Sequence, residues 1–333
     1  MLSGFLLYRG FAKAALVGGK RVDVHDYAVR RVARIVPAYY ANILGCLALY
    51  ALLGISVLNP PWQEFPLFLV FAQNYSMGTL MKINAVTWTL SVEVAFYIAL
   101  PLIGWVAFKL GRARPARQLA LLLTLLGVSM LWNDVFRDTK MHEIAKKSLP
   151  SYLGCFAVGM IAALWFENHR RLGRPPLRPR VSGLVVLAGA AVVVLGGWWK
   201  ESWPVLSDLH APLGNIVPSV GFALLVAAVA AGTGKAVAVF SVKPLANVGV
   251  VSYGIYLWHV PLIVVGTELG VLPENFALRV TTVAVAAIGF GFASWRLVEE
   301  PLIERAARFL AAKRGKTVIR GGSQAVPASD GAL

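Results

Sequence analysis

Charge is the scarce commodity in this chain. Only 14% of its 333 residues are Asp, Glu, Lys or Arg, while 58% are hydrophobic. A water-soluble domain carries about a quarter charged residues, so an ordinary soluble globule is excluded. Cysteine is nearly missing as well. Cys46 and Cys155 are the only two, both fall inside apolar runs, and neither belongs to a CxxC or His/Cys cluster. A disulfide framework and a metal centre are therefore not expected, and the two thiols read as small hydrophobes. No glycine-rich phosphate loop follows a strand pattern, and no alternating strand pattern is visible at all. Acidic residues number 16 against 32 basic ones, a net charge of +16. In a membrane chain such an excess reflects basic cytoplasmic loops beside anionic lipid, so nucleic acid is not the expected partner.

What is abundant is long apolar sequence. Eight runs have the length of a membrane span: residues 36–57, 87–108, 118–133, 150–166, 181–199, 212–231, 247–266 and 277–295. The expected fold is an all-α polytopic transmembrane bundle. The start, Met1 to Tyr8, lacks the basic beginning and apolar core of a signal peptide. It reads as a stub, the end of a helix whose beginning is absent. The apolar segment 64–75 is only about 12 residues long and reads as re-entrant or interfacial. With residues 9–34 inside and 64–75 not crossing, 25 Lys and Arg fall in inside loops and 6 in outside loops. Arg279 lies near the outer end of a span, where its side chain can snorkel. This bias places a multi-pass protein in an inner or plasma membrane with a cytoplasmic carboxy-terminus. Residues 1–310 read as the membrane domain. The basic, then Gly/Ser/Ala/Pro-rich stretch 311–333 is expected to be a disordered tail.

Four polar patches interrupt this pattern. Trp88-Thr-Leu-Ser-Val-Glu-Val-Ala-Phe-Tyr97 opens a span, and Glu93 lies inside it, about 9–10 Å below the outer surface. A carboxylate there costs on the order of 2–3 kcal/mol and so needs a partner or a wet cavity. Thr89, Glu93 and Tyr97 share a helix face at i, i+4, i+8, and Trp88 and Ser91 stand beside them as candidate pocket residues. In Ser252-Tyr-Gly-Ile-Tyr-Leu-Trp-His259-Val-Pro261, residues Ser252, Tyr256 and His259 share a face, and Pro261 can bend the helix. Glu93 and His259 fall at similar depth, where carboxylate and imidazole could pair. Both patches are equally readable as buried groups satisfied inside a bundle. Arg31 and Arg34, at i, i+3 on the cytoplasmic edge, form either a bidentate phosphate cradle or an ordinary lipid-headgroup anchor. Glu299 and Glu300, at the end of the last span, read as structural partners for basic groups. Asn74 either faces a polar lumen or caps its segment. His25, His142, His169 and His210 read as solvated loop residues.

Taken in order, these patches resemble the membrane acyltransferases of acyltransferase family 3. The resemblance is carried by Leu2-Ser-Gly-Phe-Leu6, Arg31-x-x-Arg34-Ile-x-Pro37, Gln73-Asn74, Trp88-x-Leu-Ser-Val-Glu93-x-x-Phe-Tyr97, Ser252-Tyr-Gly-Ile-Tyr-Leu-x-His259-x-Pro261 and Val298-Glu299-x-Pro301. It implies transfer of an acyl group, commonly acetyl, from an acyl-coenzyme A donor to a hydroxyl of a carbohydrate or lipid-linked envelope acceptor. No bound cofactor is implied. It also implies that Arg31 and Arg34 help to hold the donor, and it makes Glu93 and His259 the candidate catalytic groups. Relatives usually begin with a further span carrying a histidine, and often have a second acidic residue where Val94 stands. The expectation is therefore of an amino-terminally incomplete domain. The alternatives are a transporter or flippase with Glu93 and His259 along its path, and an inactive remnant.

Overall fold

The computed structural model describes residues 1–18, 21–56, 58–202 and 207–322. Among them the α-helices are α1 (Leu2–Val17), α2 (Val24–Leu53), α3 (Pro66–Leu69), α4 (Trp88–Gly111), α5 (Pro115–Val135), α6 (His142–Lys146) and α7 (Leu149–Arg171). They continue as α8 (Pro179–Ser202), α9 (Ser207–Ala231), α10 (Lys235–Ala238), α11 (Lys243–Glu268), α12 (Phe276–Ser294) and α13 (Glu300–Gly322), with a π-helical turn at Trp295–Glu299 joining the last two. The one extended pairing among the described residues is an isolated bridge between Leu177 and Gly232. Among the described residues, eight helices are long and apolar enough to cross a membrane, as expected. Their outward faces carry exposed apolar side chains such as Leu52, Ile98, Leu184, Leu187 and Val194. A membrane bundle shows such a surface because lipid is as apolar as its core.

Several boundaries differ from those expected. The helices outrun their apolar cores, since capping and backbone hydrogen bonding carry a helix beyond its last apolar residue. Thus α1 continues past the expected stub to Val17 and stops at Gly18 with φ 72°, a conformation glycine adopts without strain. Helix α13 runs through Gly322, so residues 311–322 are helical rather than irregular. The rest of the expected tail, 323–333, lies outside the described residues. The four histidines assigned to loops all fall within helices, His25 in α2, His142 in α6, His169 in α7 and His210 in α9.

Contacts divide the chain into two compact units, one of residues 1–22 and 54–250, the other of residues 23–53 and 251–333. The axis of the first unit is α7, 67% buried over its apolar window. Helices α1, α4, α5 and α9 pack on it. The α1–α7 crossing is backbone on backbone. A Cβ on Gly159 would lie 2.1 Å from the Met1 carbonyl oxygen, and one on Gly4 would lie 2.4 Å from that of Phe156. Close approach through small residues is how helices associate without a hydrophobic driving force. Beside the crossing, Arg9 pairs with Glu167 at 2.8 Å, and its guanidinium lies 4.5 Å from the centroid of Phe166.

In the second unit α2, α13 and the π-helical turn pack together, with α11 tied to α2. The Tyr253 hydroxyl donates to the Ile35 carbonyl at 3.0 Å. The Trp258 ring fills the space beside Gly45, where a Cβ would come within 2.7 Å of it.

The segment expected not to cross consists of short helical pieces, none longer than the four residues of α3. It is nonetheless firmly held. Gln73, Asn74, Thr79, Asn84 and Thr87 are all at most 1% exposed. Phe71, Met81 and Ile83 adopt left-handed φ values of 58°, 64° and 58°. A β-branched residue persists there only when its surroundings over-determine it. The Ile83 amide donates to the Leu58 carbonyl at 2.8 Å, which supplies part of that constraint.

Candidate functional site

Glu93 sits on the second turn of α4, and the segment before it fixes where that turn begins. The Asn74 amide donates to the carbonyls of both Trp88 and Lys147, each at 2.7 Å. The Gln73 amide donates to the Thr87 carbonyl at 3.1 Å. Asn74 therefore clamps the short segment, the start of α4 and the loop before α7 to one another. Its Oδ1 is buried with no hydrogen-bond partner, so an acceptor remains available beside the clamp.

The Glu93 carboxylate is half-buried, and one of its oxygens accepts two hydroxyls. One comes from Tyr97 at 2.5 Å, one turn further along α4. The other comes from Ser3 on α1. Hydrogen bonds to a carboxylate are roughly twice as strong as neutral ones, which is how this carboxylate is held inside an apolar helix. Thr89, the third member of the shared face, instead donates to the Val86 carbonyl at 2.9 Å. Trp88 packs against Tyr152 with ring centroids 5.5 Å apart. The Ser91 hydroxyl is buried and unpartnered, 4% exposed among helix neighbours. Ser3 lay inside the quoted Leu2-Ser-Gly-Phe-Leu6 motif, but its spacing gave no hint of a partner on α4.

The second cluster lies in the other unit. Nδ1 of His259 is 2.7 Å from the Tyr256 carbonyl. A carbonyl only accepts, so Nδ1 is a protonated nitrogen, and in the neutral tautomer that leaves the lone pair on Nε2. The Tyr256 ring lies 5.7 Å from the imidazole. Ser252, a turn earlier, is exposed, so the expected face is graded from open at Ser252 to half-buried at Tyr256 and His259.

Arg31 and Arg34, both half-buried on α2, belong to this same unit. Arg34 lies 5.3 Å from the centroid of Trp295 and acts electrostatically on Glu299. Nε of Arg31 is buried and unpartnered. Glu299, fully buried at 0% exposure, accepts from the Ser294 hydroxyl at 3.2 Å, and its Oε2 has no partner. Glu300 pairs on the surface with Arg296 at 2.6 Å. The two neighbouring carboxylates, grouped together from sequence, thus do different things. Glu299 is the last residue of the π-helical turn, a form enriched at functional sites, and Glu300 the first of α13.

Among the described residues, one group of side chains could share a metal ion, Asp23, His25 and Asp26. The Asp23 carboxylate is already used at the start of α2, where it accepts from the amides of His25 and Asp26 at 2.9 and 3.1 Å. That is an ordinary helix cap.

The fold and these clusters define a polytopic helical membrane protein with ionisable groups inside its spans. Residues 1–296 match the profile of the acyltransferase family 3, described as an acyltransferase domain, and the chain belongs to that family of acyl-transferring enzymes. It is 25% identical over 321 residues to the "Putative peptidoglycan O-acetyltransferase YrhL" of Bacillus subtilis (strain 168), a match covering 91% of this chain and 49% of that protein. The chain thus spans about half of that relative's length. It is 24% identical over 307 residues to the "Exopolysaccharide production protein ExoZ" of Rhizobium meliloti (strain 1021), covering 90% of this chain and 88% of that protein. No solved structure matches the chain.

Proposed function

We propose that the chain is a membrane O-acyltransferase that moves an acyl group, acetyl in the simplest case, from acyl-coenzyme A to a hydroxyl of an envelope carbohydrate or its lipid-linked form. The observation that carries this reading is the family match over residues 1–296. The names of the two relatives, one for peptidoglycan O-acetylation and one for exopolysaccharide production, support a carbohydrate as the acceptor class. The excess of Lys and Arg in one set of loops supports a topology with Arg31, Arg34 and the carboxy-terminus on the cytoplasmic side, the side from which a polyanionic coenzyme A donor would come.

In the reaction the acceptor oxygen attacks the thioester carbonyl and its proton passes to His259 Nε2. The carbon–sulfur bond breaks, and the coenzyme A thiolate leaves to be protonated. A positioned base of this kind contributes about 10²–10⁴-fold. Glu93, which already accepts hydroxyls from Ser3 and Tyr97, orients the polar groups around it.

The test is acetate content of envelope glycan, with coenzyme A release from the purified protein, in wild type against Glu93→Ala, Arg31→Ala and His259→Asn at equal expression. All three variants should fall to a small fraction of wild type. Unchanged acetylation in Glu93→Ala and Arg31→Ala sinks the site assignment. Movement of glycan with no coenzyme A release supports transport instead.

A further inference from the structure

Asn42 lies in the apolar part of α2 and is 0% exposed. Its amide donates to the Leu257 carbonyl at 3.1 Å. That carbonyl has a particular history. Pro261 lies inside α11, four residues after Leu257, and in an α-helix the carbonyl at i−4 is the one whose donor a proline removes. Left without a donor in apolar surroundings, a carbonyl costs about 1–3 kcal/mol. Prolines are tolerated in membrane helices where a neighbouring helix re-satisfies the freed group, and here α2 does so through Asn42.

The preceding carbonyl on the same turn, that of Tyr256, meets Nδ1 of His259 at 2.7 Å. Two consecutive carbonyls before the proline are thus each met by a side chain, one by Asn42 and one by the histidine. The α2 helix is locked to this turn on both sides of Asn42, by Tyr253 on the Ile35 carbonyl and by Trp258 against Gly45.

We propose that Asn42 is a positioning residue for His259. By holding the Leu257 carbonyl it keeps the turn in the shape in which the Tyr256 carbonyl takes Nδ1–H, so that the ring presents Nε2 as the base. The proposal rests on the reading of His259 given above, and its test separates the two.

The full chain in lipid nanodiscs, labelled with ¹⁵N-histidine, is compared as wild type, His259→Asn, Asn42→Leu, Pro261→Ala and Asn42→Leu/Pro261→Ala. Among the five histidines, the resonance of interest is the one lost in His259→Asn. Wild type should show His259 as a single Nδ1–H tautomer. Asn42→Leu should turn it into a mixture of tautomers and lower acetyl-transfer kcat about tenfold, with the donor KM unchanged. Adding Pro261→Ala returns a backbone N–H to the Leu257 carbonyl and should restore the single tautomer and most of kcat. A single tautomer and full kcat in Asn42→Leu overturn the proposal. So does a double variant that regains thermal stability but not the tautomer, which would make Asn42 merely a stabilising residue. If Asn42→Leu alone does not fold, the double variant against Pro261→Ala decides, because the tautomer should then no longer depend on residue 42. Full transfer by His259→Asn removes the catalytic role of the histidine, while the tautomer measurement still judges Asn42.

Discussion

At the scale of single residues, Glu93 is held by the hydroxyls of Ser3 and Tyr97. Each hydroxyl on a carboxylate contributes about 1.5–3 kcal/mol, so losing one should be felt where the charge matters. Tyr97→Phe is expected to lower acyl transfer by roughly tenfold or more, with a smaller change in melting temperature than Glu93→Ala gives. Ser3→Ala should act in the same direction. Parallel measurement of glycan acetylation and detergent-solubilised melting checks both, and a Tyr97→Phe protein as active as wild type would remove this hydroxyl from the site. Glu299 gives the opposite contrast. A fully buried carboxylate with one unpartnered oxygen is a cost to the fold. Glu299→Leu should therefore leave thermal stability unchanged or raise it, while the donor KM falls, because Arg34 then has less negative charge beside it to offset its pull on a polyanionic donor. A drop in stability with donor KM intact would show that Glu299 serves packing alone.

At the scale of elements, the α1–α7 crossing decides whether Ser3 reaches Glu93. A side chain at Gly159 would strike the backbone of α1 at 2.1 Å, and backbone cannot swing aside as a side chain can. Gly159→Val is expected to destabilise by about 1–3 kcal/mol or more and to lower activity with it. Arg9→Ala should be costly for a different reason. It leaves Glu167, 6% exposed, as an unpaired buried carboxylate, a change of about 3–5 kcal/mol in buried pairs. With Arg9 one-third exposed, the lower end of that range is expected, and Glu167→Gln should recover part of the loss in the Arg9→Ala background. Chemical or thermal unfolding in detergent checks the series.

Much of this element scale was legible from residues alone. The eight spans follow from apolar run length, and so does the lack of a span-length helix over 64–75, whose apolar run is too short for one. Glu93 and Tyr97 were paired correctly because i, i+4 on a helix is local geometry. Ser3 and Asn42 were not found. Their partners come from other helices, and no spacing within one helix encodes which neighbour it will meet. Asn42 did leave one signal, an amide inside an apolar span, which has the same logic that singled out Glu93.

At the scale of the whole molecule, topology is the open prediction, and the buried state of Cys46 and Cys155 makes it measurable against a quiet background. A cysteine placed at exposed Asp138 should react with a membrane-impermeant maleimide in intact cells. One placed at exposed Arg174 should react only after permeabilisation. The reverse pattern would invert the orientation and remove Arg31 and Arg34 from the donor's side.

Composition and run length by themselves determined that this chain lives in a membrane, that it is all-helical, and which helices carry its ionisable groups. Those properties follow from the transfer cost of residues, which each segment carries wherever it packs. Only the tertiary structure decided which oxygens Glu93 holds, that Asn74 is a clamp between segments, and that Asn42 satisfies the carbonyl which Pro261 leaves behind. These are pairings between helices far apart in sequence, and hydrogen bonds depend on distances of a few ångströms that only packing sets.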